Sequence, residues 1–68
     1  MNEEIFNLEL RKFLKKFGIT AQREIEKAVN GAIESGGLAG TETLNVKATL
    51  EIEGVLSDLV VDGEIALS

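Results

Sequence analysis

Histidine, cysteine, proline, tryptophan and tyrosine are all missing from this chain of 68 residues. Without cysteine no disulfide can form, and without cysteine and histidine the usual ligands of a zinc cluster are lacking. The same absences remove the Cys/His and Ser/His pairs on which nucleophilic catalysis most often depends. No apolar run approaches the roughly 18 residues that a membrane-spanning helix needs. The sequence therefore predicts a protein that is not an enzyme, with no catalytic residue, cofactor, metal site or membrane partner.

The short length predicts one small domain, 1–68, with little core of its own. A domain of this size buries only about 60% of the surface that its unfolded chain exposes. Chains below about 70–80 residues commonly need a disulfide, a metal or a second copy for stability. Since the first two are excluded, we expect self-association. The composition, 44% hydrophobic and 28% charged, is that of a folded protein rather than a disordered tail.

The net charge of −5 is concentrated in the second half of the chain. Residues 1–34 carry six acidic and six basic side chains, whereas residues 35–68 carry six acidic side chains and a single base, Lys47. An acidic total disfavours non-specific binding to nucleic acid or anionic lipid, because both need a positive field. Residues 1–4 are acidic where a secretory signal would be basic. The expected location is the cytoplasm.

A first helix is predicted over about residues 3–17. Apolar residues from Phe6 to Phe17 recur at i, i+4, i+7, i+8 and i+11, the spacing of one helical face. This face is expected to lie against the core. Asn2 is a suitable N-cap, and Gly18 is expected to end the helix in a left-handed conformation.

A second helix is predicted over about residues 21–34, after Thr20. It carries its own apolar arc and ends at a Gly-rich connection over residues 35–41. This connection lacks the Gly-Lys-Ser/Thr ending of a phosphate-binding loop, so a helix stop is the better interpretation.

The second half of the chain alternates apolar and polar residues, which predicts strands over about 43–53 and 58–67. Joined by a loop over residues 54–57, they form a hairpin in which Lys47 faces Glu64 and Ala48 faces Gly63. The predicted fold is α+β with the order ααββ. Both helices pack on one face of the antiparallel hairpin, whose edges allow a four-stranded sheet in a dimer.

A second apolar strip on the first helix comprises Met1, Ile5 and Leu8, on the side opposite the phenylalanines. Together with the unpaired hairpin edges, it suggests a protein partner, most simply another copy. The alternative is that the helix is buried nearly all round at this end and that charge protects the edges.

Nucleic-acid binding is a rival hypothesis. Two helices followed by a hairpin resemble the order of a winged helix-turn-helix, whose second helix would present Arg23 and Lys27 to the major groove. The acidic hairpin argues against this, because the wing would repel phosphates. Four bases of the first helix could contact phosphates or an acidic partner, or simply form a solvated face: Arg11, Lys12, Lys15 and Lys16.

Five segments resemble a family of short bacterial proteins that is known only as a domain of unknown function. They are NEEIFN (2–7), RKFLK (11–15), GIT (18–20), QREIE (22–26) and DGEI (62–65). The resemblance implies a stand-alone cytosolic domain of this length and assigns it no activity, cofactor or binding residue. It favours Gln22, Arg23 and Glu26 as a shared exposed patch.

The sequence thus predicts a small protein-interaction module that self-associates or binds another protein, with winged-helix binding of nucleic acid as the alternative. The candidate contact residues are Met1, Ile5, Leu8, Gln22, Arg23, Glu26 and Lys27.

Overall fold

A computed structural model describes all 68 residues and contains one helix and two strands. The helix, α1, spans Glu3–Glu34, and the strands are β1, Thr43–Ile52, and β2, Leu56–Ala66. The α+β composition predicted from the sequence is confirmed. The prediction of two N-terminal helices on one face of the hairpin is wrong, because a single helix of 32 residues occupies the whole of that segment.

Helix α1 continues through Gly18 and Thr20, where the sequence predicted a break. A glycine inside a helix costs only about 1 kcal/mol relative to alanine, whereas a proline would cost about 3, and the chain has no proline. Gly18 has helical backbone geometry rather than a positive φ. The apolar spacing also continues across it, so the same helical face carries both predicted arcs.

Both ends of α1 are capped by local hydrogen bonds. The Oδ1 atom of Asn2 accepts from the backbone N–H of Ile5 at 3.1 Å, which confirms the predicted N-cap. At the other end the N–H of Gly37 donates to the carbonyl of Ala32 at 2.8 Å, and the N–H of Gly36 donates to the carbonyl of Ile33 at 3.2 Å. With Gly36 at φ 83°, these bonds form a Schellman motif, which ends the helix here.

Strands β1 and β2 form an antiparallel hairpin whose register differs from the predicted one by two residues. Lys47 lies opposite Asp62 rather than Glu64, and Val46 rather than Ala48 lies opposite Gly63. A tighter turn explains the shift. The N–H of Val55 donates to the carbonyl of Ile52 at 3.0 Å, and the third turn residue, Gly54, has φ 75°, as a type II turn requires.

One extra residue in β2 forms a β-bulge beside this turn. Leu50 pairs with Leu59 and Ile52 pairs with Leu56, so two residues of β2 oppose Glu51 alone. Asp58 accommodates the bulge with φ 57°, a left-handed conformation that aspartate tolerates better than most residues. The bulge keeps Leu56 and Leu59 on the same face of the sheet although they are three residues apart.

The chain divides into two compact units, Met1–Gly37 and Leu38–Ser68. In neither unit is any side chain buried. The first unit is the capped helix, and the second is the hairpin with the segment that leads into it.

Candidate interaction surface

One face of α1 carries a row of apolar side chains along most of its length, within which Glu24 is a charged residue. At about 100° of rotation per residue, its members fall within an arc of roughly 120°. This apolar stripe comprises Phe6, Leu10, Phe13, Leu14, Phe17, Ala21, Ile25, Ala28 and Ala32. The stripe exists as one surface only because the helix does not stop at Gly18.

The large side chains of the stripe remain accessible to solvent. Their exposed fractions run from 38% at Leu10 and Ile25 to 53% at Phe13. The rings of Phe13 and Phe17 lie nearly parallel with their centroids 6.5 Å apart, so these two residues stack along the helix. No residue of the chain is buried, so the structure shows no core beneath the phenylalanine face. Monomeric proteins rarely leave a contiguous apolar surface of this extent uncovered.

The predicted second strip lies on the side of α1 opposite the stripe. Ile5 and Leu8 are 58% and 60% exposed, and Met1, which precedes the helix, is 96% exposed. Ile19, 51% exposed, follows Leu8 by 11 residues and lies on the same side. Ile19 could not be assigned to this side from the sequence, because residues 18–20 were expected to interrupt the helix.

The polar candidates share one face of α1, away from the stripe. The four bases of residues 11–16 lie on this face, and the predicted patch over residues 22–27 continues it about two turns further along. Lys12 contacts Glu9 at 3.7 Å and Lys27 contacts Glu24 at 3.8 Å, and all four side chains are well exposed. Exposed pairs of this kind contribute at most about 1 kcal/mol each. The structure therefore brings the two predicted polar groups together on one solvated face. This back face comprises Arg11, Lys12, Lys15, Lys16, Gln22, Arg23, Glu26 and Lys27.

A helix-turn-helix is not present. Its recognition helix must leave the first helix at a turn, with an angle of roughly 90–120° between them. Residues 18–20 are helical, so Arg23 and Lys27 lie on the same rod as Lys15 and Lys16. The winged-helix alternative was inferred from two helices joined by a turn, and the structure has a continuous helix at that position.

The Gly-rich connection contains a hydrogen-bonded clamp that sequence analysis missed. The carboxylate of Glu42 accepts from the backbone N–H groups of Ala39 at 2.8 Å, Gly40 at 2.9 Å and Thr41 at 3.1 Å. The hydrogen bond from Ala39, followed by those within residues 40–42, lowers the pKa of Glu42 below its ordinary value. The positive φ of Gly40, 100°, helps the N–H groups converge. These donors are satisfied by the chain itself.

The hairpin turn encloses only a shallow, open depression, lined by residues 51–57. No group of three or more acidic side chains is placed to hold a metal ion. No helix combines the length and the apolar character needed to cross a membrane. The apolar stripe of α1 is one of several exposed apolar surfaces, because Ile52, Leu59 and Val61 of the hairpin are also 43–60% exposed.

Residues 1–68 match the model of a family of unknown function, DUF6494. The chain belongs to this family. No curated protein and no solved structure matches it. The resemblance to a domain of unknown function that the sequence segments indicated is confirmed for the whole chain. DUF6494 carries no assigned activity, so a functional proposal for this member must depend on the surfaces described above.

Proposed function

We propose that this DUF6494 protein is a small cytoplasmic interaction module, not an enzyme, and that it self-associates through the apolar stripe of α1. One observation carries the proposal: six large apolar side chains on one helical face are each at least 38% exposed. They are Phe6, Leu10, Phe13, Leu14, Phe17 and Ile25.

The energy available from covering the stripe is comparable to the cost of association. Full burial of a large apolar side chain contributes about 1.5–3 kcal/mol, so covering the remaining half contributes on the order of 1 kcal/mol. Twelve such side chains, six from each of two chains, then contribute about 12 kcal/mol, within the range of roughly 4–15 kcal/mol that association costs. A second copy bearing the same stripe is therefore a partner of suitable size and chemistry.

A non-enzymatic role agrees with the electrostatics of the chain. General acid–base catalysis at neutral pH needs a carboxyl whose pKa is raised or a lysine whose pKa is lowered. The backbone hydrogen bond from Ala39, followed by those within residues 40–42, lowers the pKa of Glu42, which is the opposite direction. Its oxygens already accept three backbone hydrogen bonds, so it is engaged in holding the loop.

A chain without cysteine also gains nothing from an oxidising compartment, which is consistent with the cytoplasm.

Sedimentation of matched variants tests the proposal. We expect the wild-type protein to sediment as an oligomer at micromolar concentration and Phe17→Asp to sediment as a monomer, because a carboxylate in the stripe would be desolvated by the partner. Ile5→Asp places the same charge on the opposite side of α1 and should leave the oligomer intact. Far-ultraviolet circular dichroism of each variant separates lost association from lost helix.

Two results would contradict the proposal. A wild-type monomer at millimolar concentration would remove self-association, and loss of the oligomer in Ile5→Asp but not in Phe17→Asp would place the contact on the second strip. Retention on DNA at low salt, abolished by Arg23→Glu, would instead support nucleic-acid binding by the back face.

A further inference from the structure

We propose that two copies of this chain pair through antiparallel α1 helices, with residue 19 of one helix level with residue 19 of the other. The inference depends on the proposed function, because it specifies how the apolar stripe is covered. It is carried by the spacing, the side-chain sizes and the charges along one uninterrupted helix.

Eight of the nine positions of the apolar stripe are symmetric in their spacing about residue 19. Apolar positions lie 2, 6, 9 and 13 residues before it and at the same distances after it. Reversing the helix therefore places these eight positions on one another over residues 6–32, whereas the ninth stripe residue, Leu14, becomes level with Glu24. At 1.5 Å per residue, this overlap is about 40 Å long. The pairs that become level are Phe17 with Ala21, Phe13 with Ile25, Leu10 with Ala28 and Phe6 with Ala32.

Side-chain sizes favour the reversed orientation. The half of the stripe before residue 19 contains phenylalanine and leucine only, whereas three of the four positions after it are alanine. In an antiparallel pair, Phe6, Leu10 and Phe17 each lie level with an alanine of the other copy. Where a large side chain of one copy lies level with an alanine of the other, the two together fill the interface evenly. A parallel pair would stack phenylalanine on phenylalanine at one end and alanine on alanine at the other, and the helices could not keep one separation.

The charges favour the same orientation. Residues 11–16 carry a charge of +4, and residues 22–27 carry two bases and two acids. An antiparallel pair sets the first segment beside the second, whereas a parallel pair in register sets +4 beside +4, which is repulsive. Lys16 and Lys27, at the edge of the back face that adjoins the stripe, come within two residues of the level of Glu24 and Glu9 of the other copy, with complementary sign.

The spacing also suits two nearly straight helices. Phe6, Phe17 and Ala28 are separated by 11 residues, as are Leu10, Ala21 and Ala32, while Leu14 precedes Ile25 by 11. An 11-residue repeat corresponds to about 3.67 residues per turn, close to the 3.6 of a straight helix, and gives at most a gentle right-handed supercoil. The stripe therefore stays on one side over the whole overlap.

Spin-label distances test the orientation in the intact protein. The chain has no cysteine, so Asn30→Cys and Thr20→Cys each introduce a single labelling site. In an antiparallel pair the two Asn30 sites are offset by about 33 Å along the axis, at 1.5 Å per residue, and the two Thr20 sites by about 3 Å. We expect a long distance, about 40 Å, from the residue 30 label and a short one from the residue 20 label.

The alternatives give distinct results. Short distances, near the width of two helices, from both labels would overturn the antiparallel inference and leave self-association in place. An absence of dipolar coupling at concentrations up to millimolar would overturn both the inference and the proposed function. Circular dichroism checks that each labelled variant keeps its helix.

A size exchange provides an independent test. Ala28→Leu should weaken association roughly tenfold in an antiparallel pair, because the new side chain meets Leu10 of the other copy. Leu10→Ala should weaken it by a similar factor through lost contact, and the double variant should recover to within a few-fold of wild type. Stronger association of the single variant Ala28→Leu would overturn the antiparallel inference. In a parallel pair the new leucine would fill space between alanines that lie level with each other.

Discussion

At the scale of single residues, Glu42 shows how one side chain fixes a glycine-rich segment. Its carboxylate accepts from three successive backbone N–H groups, and its own carbonyl accepts from the N–H of Leu67 at 2.9 Å. The residue thus ties the connection after α1 to the end of the hairpin ladder. The ionised carboxylate is the form that these donors favour, which is why its pKa is lowered.

We predict that protonating Glu42 loosens this clamp. Because its folded-state pKa lies below the unfolded value, the stabilisation is fully present above the unfolded pKa and is lost as the pH falls through the lowered one. The amide resonances of Ala39, Gly40 and Thr41 should therefore shift together in a pH titration by NMR, with a midpoint below that of an ordinary glutamate. In Glu42→Gln this shared transition should vanish.

Glu53→Gln serves as the control, because the side chain of Glu53 makes no hydrogen bond to residues 39–41. In this variant the amide resonances of Ala39, Gly40 and Thr41 should titrate as in the wild-type protein. Amide shifts that persist in Glu42→Gln would assign the transition to another group and contradict the clamp.

The predictability of single residues depends on the range of the contact. Asn2 could be identified as an N-cap because its bond to the N–H of Ile5 spans three residues and follows a common pattern. The Glu42 clamp is equally local but could not be identified, because it depends on backbone angles that glycine leaves open, including φ 100° at Gly40. An acidic residue directly after a glycine-rich segment is the only signal that sequence offers.

At the scale of elements, the continuous helix is the main departure from the sequence prediction. Gly18 followed by Thr20 has the composition of a helix stop and a new N-cap. A real stop exists 18 residues later, at Gly36, where a second glycine follows and the Schellman bonds form. The distinguishing information was the apolar spacing, which continues in phase across Gly18 and does not continue past Gly36.

Replacing Gly18 with alanine discriminates the two structures. In a continuous helix, alanine should stabilise the protein by about 0.5–1 kcal/mol, because glycine is the poorer helix former and no atom lies within 4 Å of the added Cβ. If Gly18 were a left-handed stop, the same change would destabilise the protein. Urea unfolding followed by circular dichroism measures the difference.

Gly36→Ala is the matched comparison. Gly36 has φ 83°, a conformation that alanine adopts poorly, so this substitution should destabilise the protein. Equal effects of the two substitutions would refute the assignment of one glycine to the helix interior and the other to its end.

The hairpin was partly predictable. The alternation of apolar residues identified both strands and the face on which each side chain lies, because a strand has a period of two. The register could not be derived, since the turn is shorter than predicted and the bulge at Asp58 adds a residue that alternation does not reveal. Gly63 consequently contacts Val46, whose Cγ1 lies 3.4 Å from the position of an added Cβ.

At the scale of the whole molecule, the lack of any buried side chain is the dominant fact. The sequence indicated a chain too short for a full core, and the structure leaves both the phenylalanine face and the strip of Met1, Ile5 and Leu8 exposed. Periodicity defines the faces of a helix but not which neighbour covers each face. The exposure of the phenylalanine face could therefore not be derived from the sequence.

The thermal stability of the protein should depend on its concentration. If association covers the apolar stripe, each tenfold increase in concentration adds about 1.4 kcal/mol to the stability of the oligomer, which raises Tm by about 5 °C for a dimer of this size. Calorimetry over a hundredfold concentration range measures this dependence.

Phe17→Asp should abolish the concentration dependence, and Ile5→Asp should retain it. A wild-type Tm that stays constant over the whole range would show that unfolding does not involve dissociation.

The β-bulge gives β2 one residue more than its pairing with β1 requires. Removing Asp58 would leave Leu56 and Leu59 two residues apart, so both would remain on the same face and the ladder would become regular. Removing a residue from the regular part of β2, such as Val60, would instead invert the faces of every residue between the deletion and the turn relative to β1. Changes in chain length are therefore tolerable at the bulge and disruptive elsewhere in the strand, a difference that insertion and deletion variants would reveal before any substitution does.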